Sequence, residues 1–132
     1  QNQGDIHHIY PKKFLKSQGL SRTKYNQIGN YAMTQTEINI AIGAKDPDKY
    51  FAEILSQVET GKTKYGGIKD KAELHSNFEE NCVPLAMLKV GVLPYEDFLK
   101  ERRNLMAQKM KKYFQNGIGQ VMVLCKRSIL RE

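Results

Sequence analysis

The sequence predicts an α+β chain, with two short strands near the amino end followed by a mostly helical remainder. Three observations carry this prediction. Residues 5–10 form a short extended run that Pro11 stops, residues 27–34 offer a second run, and beyond Asp46 apolar residues recur at three- and four-residue steps. A chain of 132 residues buries one core rather than two, so residues 1–132 are read as a single domain.

The first strand is Asp5-Ile6-His7-His8-Ile9-Tyr10, ended by a proline that has no N–H for a ladder. Between Lys12 and Lys24, five cations surround Phe14, Leu15 and Leu20, with a turn expected at Gly19: a basic, partly apolar loop or short helix. Residues 27–34 then pair with the first strand, Gly29 and Asn30 supplying unusual backbone angles at the start. Thr36 to Gly43 reads as a short helix or turn closed by Gly43. Asp46-Pro47 opens a helix whose Tyr50, Phe51, Ile54, Leu55 and Val58 share one face, until Gly61 ends it. Gly61 to Gly67 reads as a mobile basic surface loop, and its paired glycines resemble no phosphate-binding fingerprint.

Residues 71–93 show no clean period, and His75 is left to cap, pack or face water. Pro94-Tyr95-Glu96-Asp97 opens the longest helix, because proline and acids suit a first turn. Phe98, Leu105, Met106, Met110 and Tyr113 are its expected buried stripe and Gly117 its expected end, with Lys100, Arg103, Lys111 and Lys112 outside the stripe. Val121 to Leu124 fits a strand or a helical turn equally.

The formal net charge of +7 favours a polyanionic partner, since each phosphate neutralised releases condensed counterions. No stretch approaches the ~20 apolar residues of a membrane span, and no leader pattern opens the chain, so no membrane partner and a cytoplasmic location are expected. Cys82 and Cys125 form no C-x-x-C pair; reduced, partly buried thiols are expected rather than a zinc knuckle or a disulfide framework. Gln1 in place of Met leads to the expectation that the segment belongs to a longer protein.

Hydrolysis of a phosphodiester needs a base for water, a cation to offset charge on the phosphorane and leaving oxygen, and a scaffold that fixes both. Adjacent His7 and His8 at a strand end, followed by Asn30 and Asn39, offer such a set. Taken singly, each has a plainer reading: a strand-end histidine pair that is exposed or hydrogen-bonded, a turn asparagine, a helix-cap or surface asparagine. As an ordered series with Pro11 and Gly43, the residues resemble the signature of HNH (His-Me finger) endonucleases. The likeness is greatest to the carboxy-terminal nuclease region of GmrSD-type restriction proteins, through Pro11-Lys12-Lys13-Phe14-Leu15 and the later Glu101-Arg102-Arg103-Asn104-Leu105-Met106, and so spans most of the chain.

The resemblance implies a small ββα-metal core over residues 5–45 embedded in a mostly helical domain, with the helical remainder over 46–132. It implies His8 as general base, Asn30 as the brace of the catalytic loop, and His7 and Asn39 as metal ligands. Many members have Asp where His7 stands; histidine there resembles the bacteriocin nucleases and suits Mn²⁺, Ni²⁺, Co²⁺ or Zn²⁺ better than Mg²⁺. Asp5 shares a strand face with His7 and is a candidate to hold its second nitrogen. Lys12, Lys13 and Lys45, near the motif, are the expected DNA-phosphate contacts. The implied function is cleavage of DNA, in restriction of foreign or phage DNA, beside an amino-terminal nucleotide-hydrolysing domain. The other reading is a DNA-binding or docking module that keeps the fold without cutting. A closed structural metal site ranks last, because no Cys₄ or Cys₂His₂ spacing exists.

Overall fold

The computed structural model describes residues 4–35, 42–89 and 91–131, with side chains at 6–33, 42–88 and 91–119. It is an α+β structure: a two-stranded antiparallel sheet set in a helical framework. Strand β1 (Gly4–His8) pairs with β2 (Tyr31–Gln35), placing Ile6 opposite Met33, His7 opposite Ala32 and His8 opposite Tyr31. Strand β1 stops two residues short of the predicted Tyr10. Beyond His8 the backbone N–H of Ile9 turns to the carbonyl of Asn30 and that of Tyr10 to the side chain of Asn30, which ends the regular ladder.

The connection between the strands holds helices α1 (Lys12–Ser17) and α2 (Arg22–Tyr25) and a 3-10 turn (Ile28–Asn30). Leu15 and Tyr25 anchor the two helices inward while Lys12, Lys13, Lys16, Arg22 and Lys24 stay exposed. Gly29 and Asn30 lie in this turn rather than in the strand, and neither has the left-handed backbone expected of them. The predicted Thr36–Gly43 helix lies outside the described residues except at its end, where Gly43 is left-handed (φ 55°).

Helix α3 (Pro47–Thr60) is the predicted one: the side chain of Asp46 accepts from the N–H of Asp48 at 3.0 Å, and Gly61 closes it in the left-handed region (φ 73°). The following segment lies at the surface as expected, with Gly61, Lys62, Thr63, Lys64 and Gly67 exposed, but it is tied to the helix. Buried Gln57 spends its whole amide on it, Oε1 accepting from the N–H groups of Lys64 and Tyr65 and Nε2 donating to the carbonyls of Tyr65 and Ile68. A polar side chain buried this way must find partners, and the loop supplies them. The aperiodic stretch after it forms helices α4 (Lys71–Glu80) and α5 (Ala86–Lys89), with His75 exposed. Asp70 caps α4 by accepting from the N–H of Glu73 at 2.8 Å.

Helix α6 (Tyr95–Arg131) begins where predicted but runs through Gly117 and through residues 121–124, which are helical. Gly117 and Gly119 each cost only about 1 kcal/mol in a helix, and no proline follows Pro94 to stop it. Its buried stripe is shorter than predicted. Phe98 and Leu99 are fully inside and Leu105 and Met106 partly so, whereas Met110 is 69% and Tyr113 83% exposed. Burial therefore fails after about three turns, beyond Met106. The core joins the first turns of α6 to the connection, with the Tyr10 and Phe98 rings 4.5 Å apart, and to α3 and α4 through Phe51 and Phe78. Cys82 is a buried free thiol; the side chain of Cys125 lies outside the described residues. Among the described residues no helix is long and apolar enough to cross a membrane.

Candidate active site at the strand ends

Strand alternation sends the two histidines to opposite faces. His7 points inward, 7% exposed, and lines a cavity of about 320 Å³ together with Ile9, Ile42, Tyr50 and Gln57. His8 is half-buried on the other face, edge-on to the ring of Tyr31 at 5.0 Å and to that of Tyr25 at 6.5 Å. Its Nε2 lies 2.9 Å from Oδ1 of Asn26. An amide oxygen only accepts, so this contact requires the proton on Nε2 and makes Nδ1 the basic nitrogen of the ring.

Asn30 is fully buried and ties the connection's two ends together. Its Oδ1 accepts from the N–H of Tyr10 at 2.8 Å, and its Nδ2 donates to the carbonyls of Tyr10 at 3.0 Å and Tyr25 at 3.4 Å. Since Tyr25 and Asn26 are neighbours, the grip on Tyr25 also holds the partner of His8.

Contacts with residues outside it fasten the same connection. The Tyr50 hydroxyl donates to the carbonyl of Ile9 and the Tyr10 hydroxyl to that of Leu93. Burial pushes both phenols above their ordinary range. The Tyr95 hydroxyl donates to the carbonyl of Lys24 at 2.8 Å. Buried Arg102 on α6 reaches the carbonyl of Gly29 at 3.0 Å with Nη1 and that of Asn81 at 3.1 Å with Nη2, and burial lowers its pKa from the ordinary value. No carboxylate faces it in these bonds; carbonyl dipoles from two segments stand in.

Of the predicted phosphate contacts, Lys12 and Lys13 are exposed on α1, and Lys12 Nζ lies 5.9 Å from the centre of the Tyr25 ring. Lys45 is placed otherwise: it pairs with Glu53 at 2.9 Å and donates to the Tyr65 hydroxyl at 2.7 Å. The Tyr65 hydroxyl, Lys45 and Lys64 together hold the Glu53 carboxyl down to about 2. Of the predicted metal ligands, His7 is described and Asn39 lies outside the described residues, as does the side chain of Asp5. Among the described residues no three His, Cys, Asp or Glu side chains gather as a metal-binding group.

The structure thus brings His8, Asn30 and Lys12 around one loop. Two contributors had no role legible in the sequence. Asn26 reads as one more polar loop residue, and Arg102 stands within the Glu101–Met106 run without any mark that it would reach the loop. Set against models of protein families, curated proteins and solved structures, the chain matches none.

Proposed function

We propose that this chain is a metal-dependent endonuclease that hydrolyses DNA phosphodiester bonds through a ββα-metal site, with His8 as general base. One observation carries the reading: the half-buried imidazole of His8 ends a strand and is set by Asn26, within a loop that Asn30 closes and that carries only cations. A base must be oriented, in one tautomer, and near its substrate's charge. The described contacts and the charge of the connection meet the first two demands and favour the third.

In the proposed reaction, His8 Nδ1 takes a proton from water while Nε2–H stays on Asn26. The water oxygen forms a bond to phosphorus, the bond from phosphorus to the 3′ oxygen breaks, and that oxygen leaves with a proton from solvent. His7 and Asn39 would hold a divalent cation, Mg²⁺, Mn²⁺, Ni²⁺, Co²⁺ or Zn²⁺. One imidazole and one amide would leave most positions of such an ion to phosphate oxygens and water, but His7 faces the interior cavity on the strand face opposite His8, so the described residues do not gather ligand and base around one ion. When bound, the cation offsets the charge that develops on the phosphoryl and leaving oxygens. Asn30 acts on the loop, not on the phosphate. Lys12 and Lys13 are the phosphate contacts of this reading; Lys45, already paired with Glu53, is left out of it.

The GmrSD-type resemblance extends the proposal to restriction of foreign or modified DNA in the cytoplasm, with a nucleotide-hydrolysing domain as partner. The test is cleavage of plasmid and modified phage DNA across the five metals, comparing wild type with His8→Ala and Asn39→Ala. His8→Ala is expected to lose ~10²–10⁴-fold in turnover with DNA binding retained. Asn39→Ala is expected to need more metal for the same rate. A His8→Ala protein that nicks as fast as wild type removes the proposal, and wild type that binds DNA but cuts none under any metal favours the non-cutting module.

A further inference from the structure

Two exposed cations from distant parts of the chain connect to the proposed base through short series of contacts. In one, Lys12 sits over the ring of Tyr25, and that ring lies 6.5 Å from the His8 ring. In the other, His8 meets Asn26; the next residue, Gln27, accepts from Nη2 of Arg103 on α6 at 2.9 Å. Lys12, Tyr25, His8, Asn26, Gln27 and Arg103 are therefore joined in series by contacts or chain adjacency, with a cation at each end of the series. Among the described residues neither Lys12 nor Arg103 pairs with a carboxylate.

Charge is sorted in the same pattern along the chain. Residues 9–30 hold Lys12, Lys13, Lys16, Arg22 and Lys24 and no acid, and residues 102–131 hold eight Lys and Arg and no acid. The intervening residues 46–101 hold eleven acids against seven cations. The positive excess thus belongs to the connection and to α6, the two elements that supply the series. A scattered basic surface would not do this.

We infer that this series is the track of the DNA backbone, with Lys12 and Arg103 gripping phosphates on either side of the one presented to His8. The inference rests on the nuclease reading for its substrate, and assigns Arg103 a role that nothing in its sequence context suggested. Both cations touch phosphate and neither reads a base, so their loss weakens all duplex sequences alike. Each neutralised phosphate contributes about −0.9 to the slope of log affinity against log salt.

The experiment is duplex binding by fluorescence anisotropy at several salt concentrations, all in the His8→Ala background so that cleavage does not intervene. Lys12→Ala and Arg103→Ala are each expected to flatten the salt slope by about one, and the pair by about two. Arg103→Lys keeps the slope, while Arg103→Gln, which can still hydrogen-bond to Gln27, loses it as Ala does; this separates charge from loop support. Lys62→Ala and Lys71→Ala, exposed cations of the acid-balanced segment, are expected to leave the slope unchanged. Unchanged slopes for Lys12→Ala and Arg103→Ala overturn the track, as do equal losses in the Lys62 and Lys71 controls. A wild type that cuts while the variants keep the wild-type slope sinks the track alone, and one that never cuts while the slopes change as expected sinks the nuclease reading alone.

Discussion

At His8 a single contact decides which ring nitrogen is basic, and Asn26 makes that contact at 2.9 Å. Asn26→Ala frees the tautomer and the ring, so kcat is expected to fall about 10- to 100-fold, as for other residues that orient a working imidazole, with the Kd for DNA unchanged. Asn30 is a different case, because its effect is on stability before it is on rate. Asn30→Ala strands the N–H and carbonyl of Tyr10 in a buried place, and the expected loss is about 2–4 kcal/mol in urea unfolding. A loss under about 1 kcal/mol would show that the loop closes without it.

At the scale of elements, the 3-10 turn docks on α6 with no room to spare. A Cβ at Gly29 would come within 3.1 Å of Leu99 Cδ2, and Leu99 is itself 2% exposed and cannot swing away. Gly29→Ala is therefore expected to destabilise by about 1–2 kcal/mol through overpacking, read as a lower urea midpoint at constant slope. The Glu53 cluster, which ties α3 to the following loop, has a pH signature. Its carboxyl is held below its ordinary 4.5, at about 2, first by the Tyr65 hydroxyl and then by Lys45. The folded pKa is the lower one, so this stabilisation is complete above about 4.5 and is lost as pH falls through 2. Thermal unfolding of Glu53→Gln between pH 5 and 2 should change less than that of wild type; parallel curves would exclude the cluster as the cause.

These elements also show what the sequence could and could not reveal. Both strands, α3 and the start of α6 were legible because Pro11, Pro47, Gly61 and Pro94 punctuate a clear apolar pattern. Helix α4 was missed although Asp70 and Glu73 stand at capping-box spacing, because its inward face is only Leu74 and Phe78. The end of α6 was misjudged because a glycine weakens a helix without ending it. At the site, His7, His8 and Asn30 stood out as a spaced series, whereas Asn26, Arg102 and Arg103 act through contacts across 18, 73 and 76 residues that no local pattern encodes.

Taken whole, the molecule segregates its charge, with basic connection and basic helix set against an acid-balanced middle. Duplex affinity should therefore fall steeply with salt, losing at least tenfold between 50 and 200 mM if three or more phosphates are held, a slope that anisotropy measures directly. The same arrangement has a bearing on how the chain acquires its structure. The connection is secured by Tyr50, Leu93, Tyr95 and Arg102, residues 41 to 83 positions away from the groups they bind. Ring closures of that size forfeit chain entropy before they return any contact, so the hairpin should consolidate late, after α3 and α6 have met. A peptide of residues 1–45 is accordingly expected to give a coil spectrum by circular dichroism, and a cooperative melt of that peptide would contradict this order of assembly.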